Sequence, residues 1–318
     1  MMATSPAAAG AGLTVQSRIR QPRDEELERI LDQQHHRNVD VGDEEDEDDG
    51  SGEHKHRRTF ATILETSDQP LFRPGGNAGL HQLHDWSGLN VGDYLLELGS
   101  EVGRTSGMML AHRFGCHVTL TNNDPSHFAM AHQFAQQQSL ADEQWETKLL
   151  PKLTDVDALL ERNYDCTFIE QAALSHVSNH DKMTIIQGVA KHTNQLLLHE
   201  YCILGADFDD AIVERVQTDL SHVMGQEMHL LTEGDWKQLL LDANFHVTQC
   251  ETGPVKLFHP KALLQEEGFE GINNALHTVW NLATHNELRV RMLEFQDFLE
   301  EHKENIGYCL IQAFVKKH

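Results

Sequence analysis

Between Tyr94 and Gly115 the chain reads YLLELGSEVGRTSGMMLAHRFG, and this stretch limits the possible folds more than any other. Tyr94, Leu95, Leu96 and Leu98 form a short apolar run, as a parallel strand needs when helices cover both of its faces, and Glu97 marks its end. Gly99 and Gly103 then supply a turn whose backbone can pass close to a ligand. Ser106 to Phe114 carries Met109, Leu110 and Phe114 at helical spacing before Gly115 stops the helix. A strand, a glycine turn and a helix in this order predict an α/β sheet, and a ligand at the turn would meet the free N–H groups of the helix start.

The rest of the chain extends that sheet. Cys116 to Thr121 reads as a second strand, after which Asp124 can cap a helix from Ser126 to Gln137, with Pro125 at its first position. A third strand is expected over Trp145 to Leu150, a fourth over Tyr164 to Ile169, and a fifth over Gln195 to Ile203, where His199 and Glu200 interrupt an apolar run. Asp155 and Asp157 open a helix toward Leu160. Ser178 to Asp181 and Thr232 to Asp235 are capping boxes that start two more helices. The second of these ends at Ala243, Asn244 and Phe245, where Asn suits a left-handed stop, and a strand follows from His246. Residues 261–303 read as two or three helices, a lid or a dimer surface, which leaves a homodimer open. Ile306 to Val315 is the last strand.

Composition narrows the function classes. A formal charge of -25 argues against nucleic acid as a partner, because that affinity comes mainly from Lys and Arg displacing counterions. No stretch approaches a membrane span, so a soluble protein without a membrane partner is expected. Residues 1–58 read as a disordered acidic tail, with an acidic run from Asp43 to Asp49 and a short basic stretch from His54 to Arg58. The first 23 residues lack acids and bring Arg18, Arg20 and Arg23, a composition shared by plain tails and mitochondrial transit peptides. Cytoplasmic and mitochondrial locations both remain open, with the cytoplasm preferred. The five cysteines fall in or beside expected strands, where small core residues are a better reading than disulfides or metal ligands.

The sequence Glu97, Gly99, Glu101, Gly103 resembles the first motif of class I S-adenosylmethionine-dependent methyltransferases, an acid followed by glycines at alternate positions. The Tyr-Asp pair entering YDCTFI, with Glu170 and Gln171 at its end, is similar to the family's fourth motif, and Leu174, His176 and Val177 continue the likeness. It covers roughly residues 70 to 255 and the last strand. The segment before Leu83 resembles one that helps cover the active site in small-molecule members. The resemblance implies a Rossmann-like, doubly wound, seven-stranded sheet over residues 59–318. That sheet is mostly parallel, and its antiparallel last strand lies between the fifth and sixth. It also implies methyl transfer from S-adenosyl-L-methionine to a small-molecule acceptor. On this reading Glu97, Gly99, Ser100, Glu101, Gly103, Asn122, Glu170 and Gln171 hold the cofactor, and His176 is the candidate catalytic base.

Three departures keep a second class open, a catalytically inactive methyltransferase-like binding or scaffold protein. Glu101 replaces the middle glycine, Asn122 stands where an acid would take the ribose hydroxyls, and Leu150, Pro151, Lys152 and Leu153 bring no Asp after the third strand. A nicotinamide-dependent oxidoreductase would need glycines where Glu101 and Arg104 stand. His176 and His180 have metal-binding spacing, but with 22 histidines chance pairs are expected.

Overall fold

The computed structural model describes residues 63, 74–99, 106–123, 128, 131–132, 135–136, 139–170, 173–205, 209–255 and 284–316. All of them belong to the second of the two units into which the chain divides, His56–His318. In chain order the main elements are α1 (Gly76–Ser87), β1 (Tyr94–Glu97), α2 (Ser106–Phe114), β2 (His117–Asn122), β3 (Trp145–Leu149), α3 (Val156–Leu159), β4 (Tyr164–Ile169), α4 (Asn179–Ala190) and β5 (Thr193–Ile203). There follow α5 (Asp210–Met224), β6 (Leu231–Thr232), α6 (Glu233–Asp242), β7 (Phe245–Pro254), α7 (Asn286–His302) and β8 (Ile306–Val315). The helix expected from Ser126 and the first part of the 261–303 insertion fall mostly or wholly outside the described residues, as do the 1–58 tail and the Asp124 cap.

The strands make one sheet in the order β3-β2-β1-β4-β5-β8-β7. Strands β1 to β5 run parallel, and β8 enters antiparallel between β5 and β7, as the sequence led us to expect. The sheet has eight strands rather than seven. The extra one, β6, pairs in parallel with Cys202 and Ile203 at the end of β5. Those same residues pair with β8, and β4 stops at the Ile169–Leu198 pair, so β6 occupies the β4 side of β5 beyond the end of β4.

The alternation of a strand explains how the sheet is covered. Leu95 joins Leu80, Leu83, Met108 and Phe168 in a core under α1 and α2, whereas its neighbour Leu96 joins Ile185, Ile186, Trp236 and Leu240 under α4 and α6. A third cluster joins α5 and α7 through Val216, Leu220, Phe295 and Phe298. Each such side chain contributes about 1.5–3 kcal/mol on full burial. The end of α1 is tied to the sheet through the Trp86 carbonyl, which accepts from the side-chain amides of Gln195 and Gln312.

Several local signals act as the residues predict. Thr232 and Asp235 cap α6 reciprocally, Ser178 accepts from the Asp181 N–H at 3.2 Å, and Asn244 has φ 69° at the end of α6. Asp155 precedes α3 without a side-chain cap, and Asp157 instead pairs with Lys191 and His192. Four cysteines are buried, Cys250 is partly so, and none is in a disulfide. No helix among the described residues is long and apolar enough to cross a membrane.

Candidate functional site

The strand order reverses direction between β1 and β4, and the crevice at such a switch point opens at the carboxyl ends of the strands. At that edge lies a cavity of about 480 Å³. Its floor and one side come from Gly99 after β1, Asn122 and Asn123 at the end of β2, and the segment from Leu150 to Thr154 after β3. The opposite side comes from Ala173, His176 and Val177 after β4 and from Ser178, Asp181 and Ile185 at the start of α4.

Gly99 turns the chain out of β1 with φ 72°, a conformation that strains any other L residue. Its N–H donates to Thr121 Oγ1 at 3.1 Å, and that hydroxyl donates in turn to the Glu97 carbonyl at 2.9 Å, so the turn is pinned to β2. A Cβ at Gly99 would stand 3.3 Å from that of Ala173 across the crevice. Asn122 is buried at the end of its strand, and its carbonyl accepts from the Leu150 N–H at 2.8 Å, which fixes the wall after β3.

The acids at the strand ends are engaged with α2. Glu97 is buried and accepts from the Gly107 N–H at 2.7 Å, while Glu170, also buried, accepts from the Ser106 hydroxyl. Both carboxylates thus lie at the positive end of one helix, where negative charge is stabilised. The expectation that a ligand would find the helix-start N–H groups free does not hold at Gly107, because Glu97 takes its N–H. Neither acid lines the cavity.

Of the residues singled out by sequence, Gly99, Asn122 and His176 meet around the cavity, and Glu97 and Glu170 stand behind it. Ser100, Glu101, Gly103 and Gln171 lie outside the described residues. Sequence reasoning marked Val177 as a motif position and Leu150 to Leu153 as a place without an Asp, but did not foresee that they and Ile185 form one wall. The signal that could have joined them was position, since segments that follow parallel strands gather at one edge. His199 and Glu200, the polar pair in β5, turn to opposite faces. His199 Nε2 accepts from the Gly75 N–H at 2.9 Å, beside Tyr308 of β8.

Glu200 reaches the loop that carries His176. Its Oε1 accepts from the Leu174 N–H at 3.0 Å and its Oε2 from the Ser175 hydroxyl at 2.8 Å. On the same loop, buried Lys182 of α4 donates to the Val177 carbonyl at 2.7 Å, and also to Asn179 and to the His229 carbonyl. Burial pushes the Glu200 carboxyl up to about 7 and the Lys182 ammonium down to about 8, each offset in part by the charge of the other. His176 itself is exposed at the cavity wall.

No protein-family model matches the chain. An uncharacterized protein from Haemophilus influenzae is 23% identical over 235 residues, 73% of this chain and 88% of that protein. Among solved structures, a SAM-dependent methyltransferase from Geobacter sulfurreducens in complex with S-adenosyl-L-homocysteine superposes with a TM-score of 0.57 at 12% identity, covering 82% of this chain and all (100%) of that one. A phosphoethanolamine N-methyltransferase 2 from Haemonchus contortus, in complex with phosphomonomethylethanolamine and S-adenosylhomocysteine, gives a TM-score of 0.57 at 16% identity. It matches 81% of this chain, which spans 57% of that larger protein. The strand order, the antiparallel β8 and these superpositions together show that the chain has the class I S-adenosylmethionine-dependent methyltransferase fold.

Proposed function

We propose that this protein is an S-adenosylmethionine-dependent methyltransferase acting on a small-molecule acceptor. The observation that carries the reading is the cavity at the β1–β4 switch point, bounded by the Gly99 turn, Asn122 and the His176 loop. Its size lies within the roughly 300–1,000 Å³ usual for small-molecule sites. The chain's own residues fit the donor. Gly99 keeps the crevice clear at the point where a Cβ would meet Ala173. The Asn122 amide can both donate to and accept from ribose hydroxyls, although without the strength of a charged carboxylate. Leu153, Val177 and Ile185 offer apolar contact to a flat base.

When bound, the donor supplies an electrophilic methyl group on its sulfonium. The protein's part is to align the acceptor's lone pair with that carbon and to keep water out. On this reading His176, which lines the cavity, takes the proton the acceptor releases as its new bond to carbon forms. An acceptor that is already a lone-pair nucleophile needs only to be held there. The wall from Leu150 to Leu153, which carries Lys152 and no acid, favours a second reading, a binding protein that keeps the crevice without turnover.

Calorimetric titration with S-adenosylmethionine and, separately, with S-adenosylhomocysteine tests the proposal. Micromolar binding is expected, and an acceptor screen then separates turnover from binding alone. Absence of binding to either compound by a folded sample would overturn the donor site.

A further inference from the structure

We infer that Lys152 is a specificity-determining residue of the donor site proposed above, on which this reading rests. Its ammonium holds the base of the donor by a hydrogen-bond acceptor on the base edge, a ring nitrogen in adenine, and leaves the exocyclic amine unread.

Most basic side chains of this acidic chain face a carboxylate. Arg113 pairs with Asp85, Lys148 with Glu161, Lys191 with Asp157, Lys237 with Glu233 and Lys303 with Glu300. Lys152 makes no ion pair and no side-chain hydrogen bond among the described residues, although Asp155 stands three residues on. In a chain with 50 acids to 25 Lys and Arg, an ammonium without a partner on a cavity wall is available to a ligand.

The backbone fixes its place on that wall. Lys152 is extended, with φ -138° and ψ 137°, at the head of a 3-10 turn over Leu153–Asp155. Its carbonyl accepts from the Asp155 N–H at 2.9 Å, and two residues earlier the Asn122 carbonyl holds the Leu150 N–H at 2.8 Å. Pro151 between these anchors has a fixed φ. The next side chain, Leu153, packs on the core that contains Leu150, Ala173 and Ile185. The ammonium therefore lines the same cavity as Leu153, Val177 and Ile185, the apolar contacts proposed for a flat base.

Among the described residues Lys152 is the one Lys or Arg of the cavity lining, and Asp181 is its one acid. Asp181 belongs to the opposite side, at the start of α4, where its carboxylate accepts from the Ser178 hydroxyl at 2.9 Å. A base edge turned to the β3 side meets an ammonium and no carboxylate. An ammonium has three N–H donors and no acceptor, so it bonds a ring nitrogen or a carbonyl oxygen and gains nothing from an amine. Such a bond is charge-assisted and stronger than one between neutral groups.

Calorimetric titration of the full chain tests this with three ligands: S-adenosylhomocysteine, its 6-oxo counterpart S-inosylhomocysteine, and methylthioadenosine, which lacks the amino-acid tail. The wild type is expected to bind the 6-oxo compound at least as tightly as S-adenosylhomocysteine, because the amine it lacks is not read. Lys152→Met should weaken all three by about tenfold, the usual loss of a hydrogen bond to a charged group. Lys152→Glu puts an acceptor in the same place and should favour S-adenosylhomocysteine over the 6-oxo compound by about tenfold. Both variants change an exposed side chain without partners, so the fold should be kept. A wild type that binds the 6-oxo compound more than about tenfold more weakly, or affinities that both variants leave unchanged, would overturn the inference. So would a loss in Lys152→Met that appears with S-adenosylhomocysteine and not with methylthioadenosine, for the ammonium would then be meeting the amino-acid carboxylate. Failure of a folded wild type to bind any of the three would refute the donor site itself and the inference with it.

Discussion

A carboxylate buried beside a helix start needs donors there, and Glu97 has one in the Gly107 N–H. Gly107 makes room for it: an added Cβ would press onto the Glu97 carboxylate and stand 2.8 Å from Val118 Cγ2. Gly107→Ala should therefore destabilise the fold by about 1–3 kcal/mol in urea denaturation, the usual cost of overpacking. An unchanged midpoint would mean the carboxylate can swing away freely. His176 poses a different question, because it faces the cavity from an exposed position. With an acceptor in hand, His176→Ala should lower turnover by about a hundredfold or more while changing S-adenosylhomocysteine affinity little. Equal losses in both would assign the ring to holding the loop. The direction of Glu97 is legible in the sequence: it shares strand parity with Leu95, and Leu95 packs under α2. Its reading as a ligand contact rests on the type of residue and its place at a strand end, whereas the alternation accounts for its bond to Gly107. The residue signals that worked, Gly99 and Asn244, are those whose chemistry dictates a backbone angle.

Among the elements, the legible ones announced themselves locally. Thr232 and Asp235 satisfy each other's backbone donors at the start of α6, and Trp236, Leu239 and Leu240 bury one face of that helix. Removing the cap by Thr232→Ala should cost about 1 kcal/mol, read as a lower urea midpoint with the slope unchanged. A loss below a few tenths would mean that packing alone fixes the start of α6. The elements that escaped notice lack a period of their own. Strand β6 has two residues, too few to alternate, and exists because β5 outruns β4 and leaves its last residues unpaired on that side. The cavity wall after β3 is similar, for Leu150 and Leu153 stood out only by the absence of an Asp until the sheet brought them to one cavity with Val177 and Ile185.

At the scale of the molecule, the buried pair Glu200 and Lys182 gives stability a pH signature. Glu200 keeps its proton to about 7 in the fold and to 4.5 in the unfolded chain, so across that window the unfolded chain binds fewer protons and stability falls as pH rises. Lys182 is depressed from 10.5 to about 8, so above 8 the unfolded chain binds more protons and stability rises with pH. The contribution of the pair is therefore lowest between about 7 and 8. Urea midpoints at about pH 5.5, 7.5 and 9.5 should show it, with Glu200→Gln abolishing the acid-side slope and a monotonic curve contradicting it. Sheet order was largely legible at this scale because parallel strands, helices and a final apolar run permit few arrangements. The placement of β8 has a further consequence, for the life of the polypeptide before it is complete. While the chain is being synthesised, β5 and β7 emerge with the slot between them unfilled, and the strand that fills it comes after both. Two bare strand edges invite pairing with neighbouring nascent chains. This half of the sheet must wait for β8 to leave the ribosome before it can close, which makes the emergence of that one strand a step in its folding.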